Sequence, residues 1–264
     1  MIKSLPFMNS SPSVAVIRLQ GMIASGSRGL NDAAIAPLIE KAFSKGKPVA
    51  VALIINSPGG SPVQSSLIAA RIRRLSAEKS VPVFAFCEDV AASGGYWLAC
   101  AADEIFVDPT TMIGSIGVIT SGFGLQNLIE KHGIERRVHT AGNSKSMMDP
   151  FKPEKPEDIA KLEGWLGQIH EAFIAHVKDR RGAKLADDPE LFNGNIWVGQ
   201  SGVDVGLADG IGHLVPVMKE RFGDKVKFRR YGQRRSLAER FGLALAQDAA
   251  HILDERSAFA RFGL

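Results

Sequence analysis

Short apolar runs alternate along the first half of the chain with segments of helical periodicity. Because strands of a parallel sheet are buried on both faces, they read as continuous apolar runs. The alternation of such runs with helices therefore predicts an α/β fold with a largely parallel sheet and crossover helices. The predicted strands are Val14–Leu19, Val49–Ile55, Val83–Phe86, Glu104–Val107 and Ile116–Ile119.

Helix signals stand between most of these strands. Asn31 can cap a helix through Ala42, and Ser61 can open one through Leu75. Further helices are predicted from the strand end near Phe86 to about Ala102, from Leu125 to Lys131 with a stop at Gly133, and from Pro156 to about Arg181. The last of these is amphipathic and should pack on the sheet or on a second subunit; one side of it carries Leu162, Trp165, Ile169, Phe173 and Val177.

The C-terminal part of the chain differs from the rest in charge. The net charge is +4, but Lys219–Arg240 contains nine Lys or Arg and three acids, which gives this stretch +6 and the remainder −2. A cationic run, Lys225–Arg235, precedes an amphipathic segment, Ser236–Phe262. We therefore predict a main domain over residues 1–218 and a basic, helical C-terminal appendage over residues 219–264.

Composition and charge limit which partners the chain can bind and where in the cell we expect it. No apolar run approaches the ~18 residues of a membrane span, and the patch Leu5–Met8 is too short for a signal peptide, so we expect a cytoplasmic chain. The run Lys225–Arg235 could touch anionic lipid at a membrane periphery, although a packing or assembly helix is the favoured interpretation. Nucleic-acid binding is not expected, because the only aromatics in this run are Phe228 and Tyr231.

The sequence offers no metal site. Cys87 and Cys100 lie in apolar surroundings without CxxC spacing, which predicts buried reduced thiols. His170 and His176 are six positions apart, so they fall on different faces of a helix and cannot form a zinc pair.

Two small-residue motifs follow predicted strands. Ser93 and Gly94, in Ala91–Trp97, stand where a strand gives way to a helix, so the Gly94 N–H and the helix end could stabilise an oxyanion. Gly59 and Gly60 end Asn56–Gly60 and could supply a second N–H donor. Taken singly, the first motif also fits a tightly packed helix start, and the second a plain turn. Together they would meet at one edge of a parallel sheet, where such folds place their sites.

A serine nucleophile needs a base, and none of the six histidines stands in a suitable setting. Lys145, in the loop Ala141–Phe151, is the better candidate. A lysine acts as a base only when neutral, and lowering its pKa from about 10.4 to about 7.5 costs roughly 4 kcal/mol, which requires burial. Most loop lysines are solvated charges, so the sequence leaves that alternative open.

These motifs together resemble the S49 family of serine peptidases, of the signal peptide peptidase A type, whose fold is similar to the Clp protease and crotonase superfamily. The match covers roughly Val14–Leu214. Lys145 follows Ser93 by 52 residues, as in short, single-repeat bacterial members. The stretches that carry the resemblance are Asn56–Gly60, Ala92–Tyr96, Gly114–Val118, Lys145 with Pro150–Phe151, and Gly206–Gly212.

The resemblance implies a role for each of these residues. Ser93 would be the nucleophile, Lys145 the general base, and Ser115 the residue that orients the lysine amine. The N–H of Gly94 and that of Gly59 or Gly60 would bind the oxyanion. No cofactor is implied. Residues 1–218 would form the peptidase domain of a homo-oligomeric ring or dome, of about eight subunits, in which adjacent subunits share each site.

The expected activity is hydrolysis of peptides or unfolded, signal-peptide-like segments through a Ser-Lys dyad and an acyl-enzyme. Two alternatives remain. A crotonase-type acyl-CoA enzyme would use the same two-loop oxyanion hole without needing both Ser93 and Lys145. A catalytically silent scaffold would bind peptides through the same oligomer and leave Lys145 exposed.

Overall fold

A computed structural model describes residues 11–26, 29–142, 144–232 and 255–264 of the protein. The strands are β1 (Ser13–Gln20), β2 (Ala50–Ser57), β3 (Val83–Ala92), β4 (Glu104–Val107), β5 (Met112–Gly114), β6 (Ile196–Val198), β7 (Gly210–Ile211) and β8 (Lys227–Tyr231). The helices are α1 (Asp32–Ser44), α2 (Pro62–Lys79), α3 (Gly94–Ala99), α4 (Gln126–Lys131), α5 (Pro156–Arg181), α6 (Gln200–Asp204) and α7 (Leu214–Phe222). Residues 255–260 form a further helical segment.

The described strands form one eight-stranded sheet in the order β6-β5-β3-β2-β1-β8, with β4 beside β3 and β7 beside β4. Every pair is parallel except β5 with β6. Strand β3 has two neighbours on one side, because its first half pairs with β4 and its second half with β5. The largely parallel sheet confirms the predicted fold class.

Apolar side chains cover both faces of the sheet. On one face, Ile39 of α1, Ile72 of α2 and Leu98 of α3 belong to a fully buried core. On the other face, Met218 of α7 packs in a smaller core with Phe84, Phe86 and Phe106. Because α3 packs in the larger core, this core fixes the turn that joins β3 to α3.

Several predicted elements are confirmed, and local sequence signals are what made them predictable. Asn31 and Ser61 accept hydrogen bonds from Ala34 N–H and Gln64 N–H and so cap α1 and α2. The bounds of α5 agree with the predicted helix Pro156–Arg181. Its apolar side is only partly used by the fold, since Phe173 and Val177 are buried whereas Trp165 is 51% exposed.

Three predictions differ from the structure. The predicted strand Ile116–Ile119 is wrong: the strand is Met112–Gly114, and it ends because the backbone of Gly114 and Ser115 turns to positive φ, at 108° and 51°. Strand β3 continues past Phe86 to Ala92, since β5 extends the parallel ladder. Helix α3 ends at Ala99 instead of about Ala102.

The structure also describes the first part of the predicted appendage, residues 219–232. Residue 219 lies inside α7, and β8 pairs with β1 from Ser13 opposite Lys227 to Ile17 opposite Tyr231. This part therefore continues the main fold, because Met218 and Val226 are buried in the smaller core. The predicted amphipathic segment Ser236–Phe262 lies outside the described residues up to position 254.

Candidate active site

Ser93 lies at the corner where β3 gives way to α3. Its backbone has φ 52° and ψ −122°, a conformation that costs an L-residue on the order of 1–3 kcal/mol. Hydrogen bonds fix this corner on both sides: Ser93 N–H donates to Gly114 O at 2.9 Å, and Ser93 O accepts from Trp97 N–H at 3.0 Å. A serine held in this way presents its hydroxyl at the start of a helix, where the backbone N–H groups have no helical acceptors.

The loop after β2 lies directly against this corner. A Cβ atom on Gly59 would fall 2.7 Å from Ser93 Cβ and 2.8 Å from Gly94 N, so a side chain there cannot be accommodated without movement. Gly59 N–H donates to Ser57 Oγ at 3.2 Å. Ile23 N–H donates to Gly59 O and Ser61 N–H to Ile23 O, which leaves the N–H of the intervening Gly60 on the side away from Ile23.

Ser115 forms a second non-glycine corner with positive φ, directly after β5. Its N–H donates to Asn195 O at 2.7 Å, and its carbonyl accepts from Gly117 N–H at 2.9 Å. Ser93, Gly94, Gly60 and Ser115 all line one cleft of about 550 Å³. The structure thus brings together five of the six predicted site residues, with Gly59 packed against Ser93.

The remaining walls of the cleft include residues of helix α5, which the sequence motifs did not indicate. Trp97 and Phe173 stack with ring centroids 4.9 Å apart, and Trp97 also stacks on His176 at 4.7 Å. Helix α5 is held at the cleft by His170 and His176, whose Nε2 atoms lie 3.1 and 3.2 Å from the carbonyls of Ile116 and Trp97. Burial lowers the pKa of His176, which favours its neutral form.

Sequence reasoning missed further lining residues as site residues: some lie inside the motifs, whereas others, such as Ile169, Asn193 and Arg261, come from distant segments. The missed residues are Pro58, Pro62, Trp97, Gly117, Val118, Ile119, Ile169, Phe173, Asn193, Gly194 and Arg261. The apolar side of α5 indicated that Ile169 and Phe173 are packing residues, but it did not indicate that they line the cleft beside Ser93. Most of these side chains are apolar or small, which suits a site for an apolar group.

Lys145 does not reach this cleft within the described chain. It is exposed, in a loop whose Lys145 N–H donates to Gly142 O at 3.2 Å. Contacts within the surrounding segment hold that loop: Asp149 pairs with Arg136 at 3.0 Å and accepts the Phe151 N–H at 3.1 Å. The Phe151 N–H and Arg136 hold the pKa of Asp149 below its ordinary value.

Other candidate chemistry is absent from the part of the chain that the structure describes. Cys87 and Cys100 are buried free thiols, as predicted, and burial raises the pKa of Cys100 to about 12. The described residues contain no group of three His, Cys, Asp or Glu placed to hold a metal ion. Among their helices, none has both the length and the apolar character that crossing a bilayer requires.

Comparison with known proteins identifies relatives of unequal length. A Brucella melitensis protein named Na⁺/H⁺ antiporter NhaA is 45% identical over 271 residues, which cover 95% of this chain and 37% of that protein. The chain thus spans little more than a third of the Brucella protein. Synechocystis slr0021, which carries a protease name, is 31% identical over 208 residues, covering 78% of this chain and 73% of that protein.

The fold also matches a solved structure, that of the membrane-bound stomatin-specific protease 1510-N. The TM-score is 0.52 with 15% identity, and the match covers 86% of this chain and 100% of the other. The model of Peptidase family S49 matches residues 76–224, which include Ser93, Ser115 and Lys145. This match, together with the Synechocystis relative, confirms the resemblance indicated by the motifs: the chain belongs to peptidase family S49.

Proposed function

We propose that this chain is a serine peptidase in which Ser93 is the nucleophile. The observation that carries the proposal is the Ser93 corner itself, where a serine with positive φ stands at a strand-to-helix turn beside a double-glycine loop. Serine peptidases and hydrolases use such sharp turns to expose the hydroxyl next to backbone N–H donors. Family membership supports the same reaction class.

The oxyanion hole is proposed to consist of the N–H groups of Gly94 and Gly60. Gly59 N–H already donates to Ser57 Oγ, so Gly60 is the better of the two glycines named from the sequence. A Cβ atom on Gly94 would lie 3.4 Å from Gly60 N, which indicates that these two amides are neighbours beside Ser93. Two preorganised N–H donors stabilise the charge that develops on the carbonyl oxygen during acyl transfer.

Lys145 is proposed to act as general base in the site of a second copy of the chain. Lys145 is exposed within one chain, whereas a lysine base must be removed from water. Burial against another subunit would disfavour the charged amine and lower its pKa. Ser115, which lines the cleft with Ser93, is the proposed hydrogen-bond partner that orients the incoming amine.

Exposed apolar side chains support this assembly. We call the exposed apolar residues on either side of Lys145 in the sequence the arm surface; they are Ile119, Phe123, Leu128, Ile134 and, on α5, Trp165. Phe123 is the most exposed of them, at 85%. Apolar surface of this kind marks protein association sites. We propose a homo-oligomer, such as a ring or dome of about eight subunits, in which the arm surface of one copy covers the cleft of the next.

The proposed reaction proceeds in two steps. Ser93 Oγ attacks the peptide carbonyl while Lys145 takes its proton, and the protonated lysine then gives that proton to the leaving amine. Water, activated by the neutral Lys145, attacks the acyl-enzyme and releases the carboxylic acid product and free Ser93. The apolar walls at Trp97, Ile169 and Phe173 favour apolar side chains beside the scissile bond, in peptides or in unfolded, signal-peptide-like segments.

A second candidate function rests on the exposure of Lys145. If no other copy covers this residue, the chain would be a catalytically silent scaffold that binds peptides in the same cleft. Hydrolysis separates the two functions, because a scaffold binds peptides without cleaving them. A crotonase-type acyl-CoA enzyme, the other alternative from the sequence, would retain activity on acyl-CoA without Lys145.

The test is hydrolysis of a panel of fluorogenic peptides by the purified protein. Ser93→Ala and Lys145→Ala should each abolish turnover while light scattering shows an unchanged oligomer. Lys152→Ala is the matched control, since Lys152 is another exposed lysine close to the Lys145 loop. Equal turnover in wild type and both variants would remove the dyad, and peptide binding without hydrolysis in wild type would favour the scaffold.

A further inference from the structure

The cleft that contains Ser93 is lined by apolar residues, by uncharged polar residues and by one charged residue. Its apolar walls come from Trp97, Ile169, Phe173, two prolines and two further aliphatic residues, and its uncharged polar side chains are Ser93, Ser115 and Asn193. Among the described residues that line it, Arg261 alone carries a formal charge. A single cation among uncharged lining residues attracts ligands of opposite charge.

Arg261 is positioned by the C-terminal residues 255–264. The helical segment 255–260 lies beside the start of the loop after β1, since a Cβ atom on Gly21 would fall 2.5 Å from Glu255 Oε1. The same loop continues to Ile23, whose N–H donates to Gly59 O at 2.8 Å. The C-terminal segment therefore lies on the side of the cleft where the double-glycine loop contacts Ser93.

A guanidinium group at this position fits a carboxylate. Arginine remains charged at any physiological pH and offers a planar set of donors that match the two oxygens of a carboxylate. Arg261 is exposed, so a pair with a substrate carboxylate keeps part of its hydration and is modest in strength. The expected result is a preference among substrates rather than an absolute requirement.

We propose that Arg261 is a specificity-determining residue, which makes the site favour peptides that carry a carboxylate near the apolar residue at the scissile bond. The inference rests on the proposed peptidase function and adds the charge of its substrates. The carboxylate can come from an acidic side chain or from the peptide C-terminus. Both sources share the chemistry that Arg261 recognises, and the experiment distinguishes them.

The experiment compares peptides that share an apolar core and differ only in charge. One pair has Glu or Gln next to the cleaved residue, and a second pair has a free or an amidated C-terminus. For the carboxylate member of at least one pair, wild type should show kcat/KM about three- to fivefold higher, as expected for a partly exposed ion pair. The pair in which the preference appears identifies the source of the carboxylate.

Variants connect the preference to Arg261. Arg261→Ala should remove it and Arg261→Glu should reverse it, whereas Arg256→Ala should keep it. Arg256 is the matched control because it is an exposed arginine of the same helical segment that does not line the cleft. Raising the salt concentration should weaken the wild-type preference, since exposed charges are screened.

A binding measurement keeps this inference separate from the peptidase proposal. In the Ser93→Ala background, affinities of the same peptides measured by fluorescence anisotropy should show the charge preference, and adding Arg261→Ala should remove it. The binding measurement gives a result even if wild type hydrolyses none of the peptides. That absence of hydrolysis would count against the peptidase proposal but not against the role of Arg261. Equal binding of charged and neutral peptides, or a preference that survives Arg261→Ala, would overturn the role of Arg261.

Discussion

Two regions of this molecule carry the two halves of the proposed dyad, and they are built differently. Residues 83–116 hold Ser93 and Ser115 in buried strands and turns, with backbone hydrogen bonds on both sides of each serine. Residues 117–155 hold Lys145 in a segment whose side chains are mostly exposed, and which contains one short helix, α4, among the described residues. One chain fixes the geometry around Ser93, whereas Lys145, as the proposed base, would need a further surface to pack against.

The difference has a physical basis in how each half obtains its pKa and geometry. A serine hydroxyl needs only a fixed direction and nearby N–H donors, which a sheet edge and a helix start can provide. A lysine base needs removal from water, and a loop on the surface of one chain cannot provide that. In the proposed assembly, oligomer formation would supply the missing burial and so switch on the reaction.

The largest expected effect comes from adding one methyl group to the nucleophile half. Gly59→Ala places a Cβ atom against Ser93 Cβ and Gly94 N, at a residue whose φ of 103° already disfavours side chains. Since Ser93 and an oxyanion donor must both shift, kcat/KM should fall about a thousandfold. Peptide turnover and thermal unfolding measure the change.

Gly124→Ala is the matched substitution in residues 117–155. A Cβ atom there meets open space among the described residues, and its φ lies outside the disfavoured region. Turnover and melting temperature should stay within error of wild type. A Gly59→Ala protein as active as wild type would show that the double-glycine loop does not support catalysis.

The next largest effect concerns the ion pair between Asp209 and the buried Arg181, which is tied to residues 83–116 through the Ile105 N–H. Asp209 accepts hydrogen bonds from Arg181 Nη1 at 2.7 Å and Ile105 N–H at 2.7 Å, and Arg181 is only 3% exposed. Asp209→Asn leaves the Arg181 charge buried without a carboxylate, so the free energy of unfolding should drop by about 3 kcal/mol at neutral pH. Urea unfolding measures the loss.

The same pair gives a pH dependence with a definite sign. Burial opposes ionisation of Asp209, but hydrogen bonds from Arg181 and Lys184 outweigh it and lower its pKa below 3.8 in the folded state. Its stabilising contribution is therefore complete at neutral pH and is lost as the pH falls from about 3.8 through the folded pKa. The gap between wild type and Asp209→Asn should narrow over that range, and a constant gap would contradict this account.

Asp149→Asn provides the corresponding change in residues 117–155. The Arg136 side chain that pairs with Asp149 is 42% exposed, so its charge remains hydrated after the substitution. The free energy of unfolding should change little, while hydrogen exchange in the Lys145 loop should accelerate. Global destabilisation equal to that of Asp209→Asn would show that the Lys145 segment is held as strongly as the surroundings of the buried Arg181.

The smallest expected effect is on assembly. Phe123→Ser removes the most exposed large side chain of the arm surface and should shift the oligomer toward smaller species at low protein concentration. Turnover should then fall about tenfold at dilution and recover at higher concentration. Val215→Ser, at a residue that is 45% exposed on α7 on the other face of the sheet, is the control. Unchanged mass and turnover in Phe123→Ser would exclude the arm surface from the interface.

Much of this fold could be predicted from the sequence because its signals are local. Continuous apolar runs marked β1, β2 and β4, and cap residues at Asn31 and Ser61 marked the starts of α1 and α2. The strand predicted at Ile116–Ile119 failed for a tertiary reason. Ser115 adopts positive φ and bonds to Asn195, a contact across eighty positions that no local pattern contains.

The candidate site was predictable only in part, for a related reason. Ser93, Gly94 and the double-glycine loop could be predicted because each directly follows a strand. The ends of parallel strands meet at one edge of the sheet. The walls at Ile169, Phe173 and Asn193 and the charge at Arg261 come from distant segments that meet only in the folded chain. In the proposed shared site, the surroundings of Lys145 come from a second copy, so neither the sequence nor one folded chain would contain them.

The most direct test of the shared site is complementation between two inactive variants. Ser93→Ala and Lys145→Ala proteins are unfolded together, refolded as a mixture and assayed for peptide hydrolysis. If each site takes Ser93 from one copy and Lys145 from its neighbour, random mixing should restore about a quarter of wild-type turnover. If both residues act within one chain, every site in the mixture lacks one of them, and turnover as low as that of either variant alone would contradict the account.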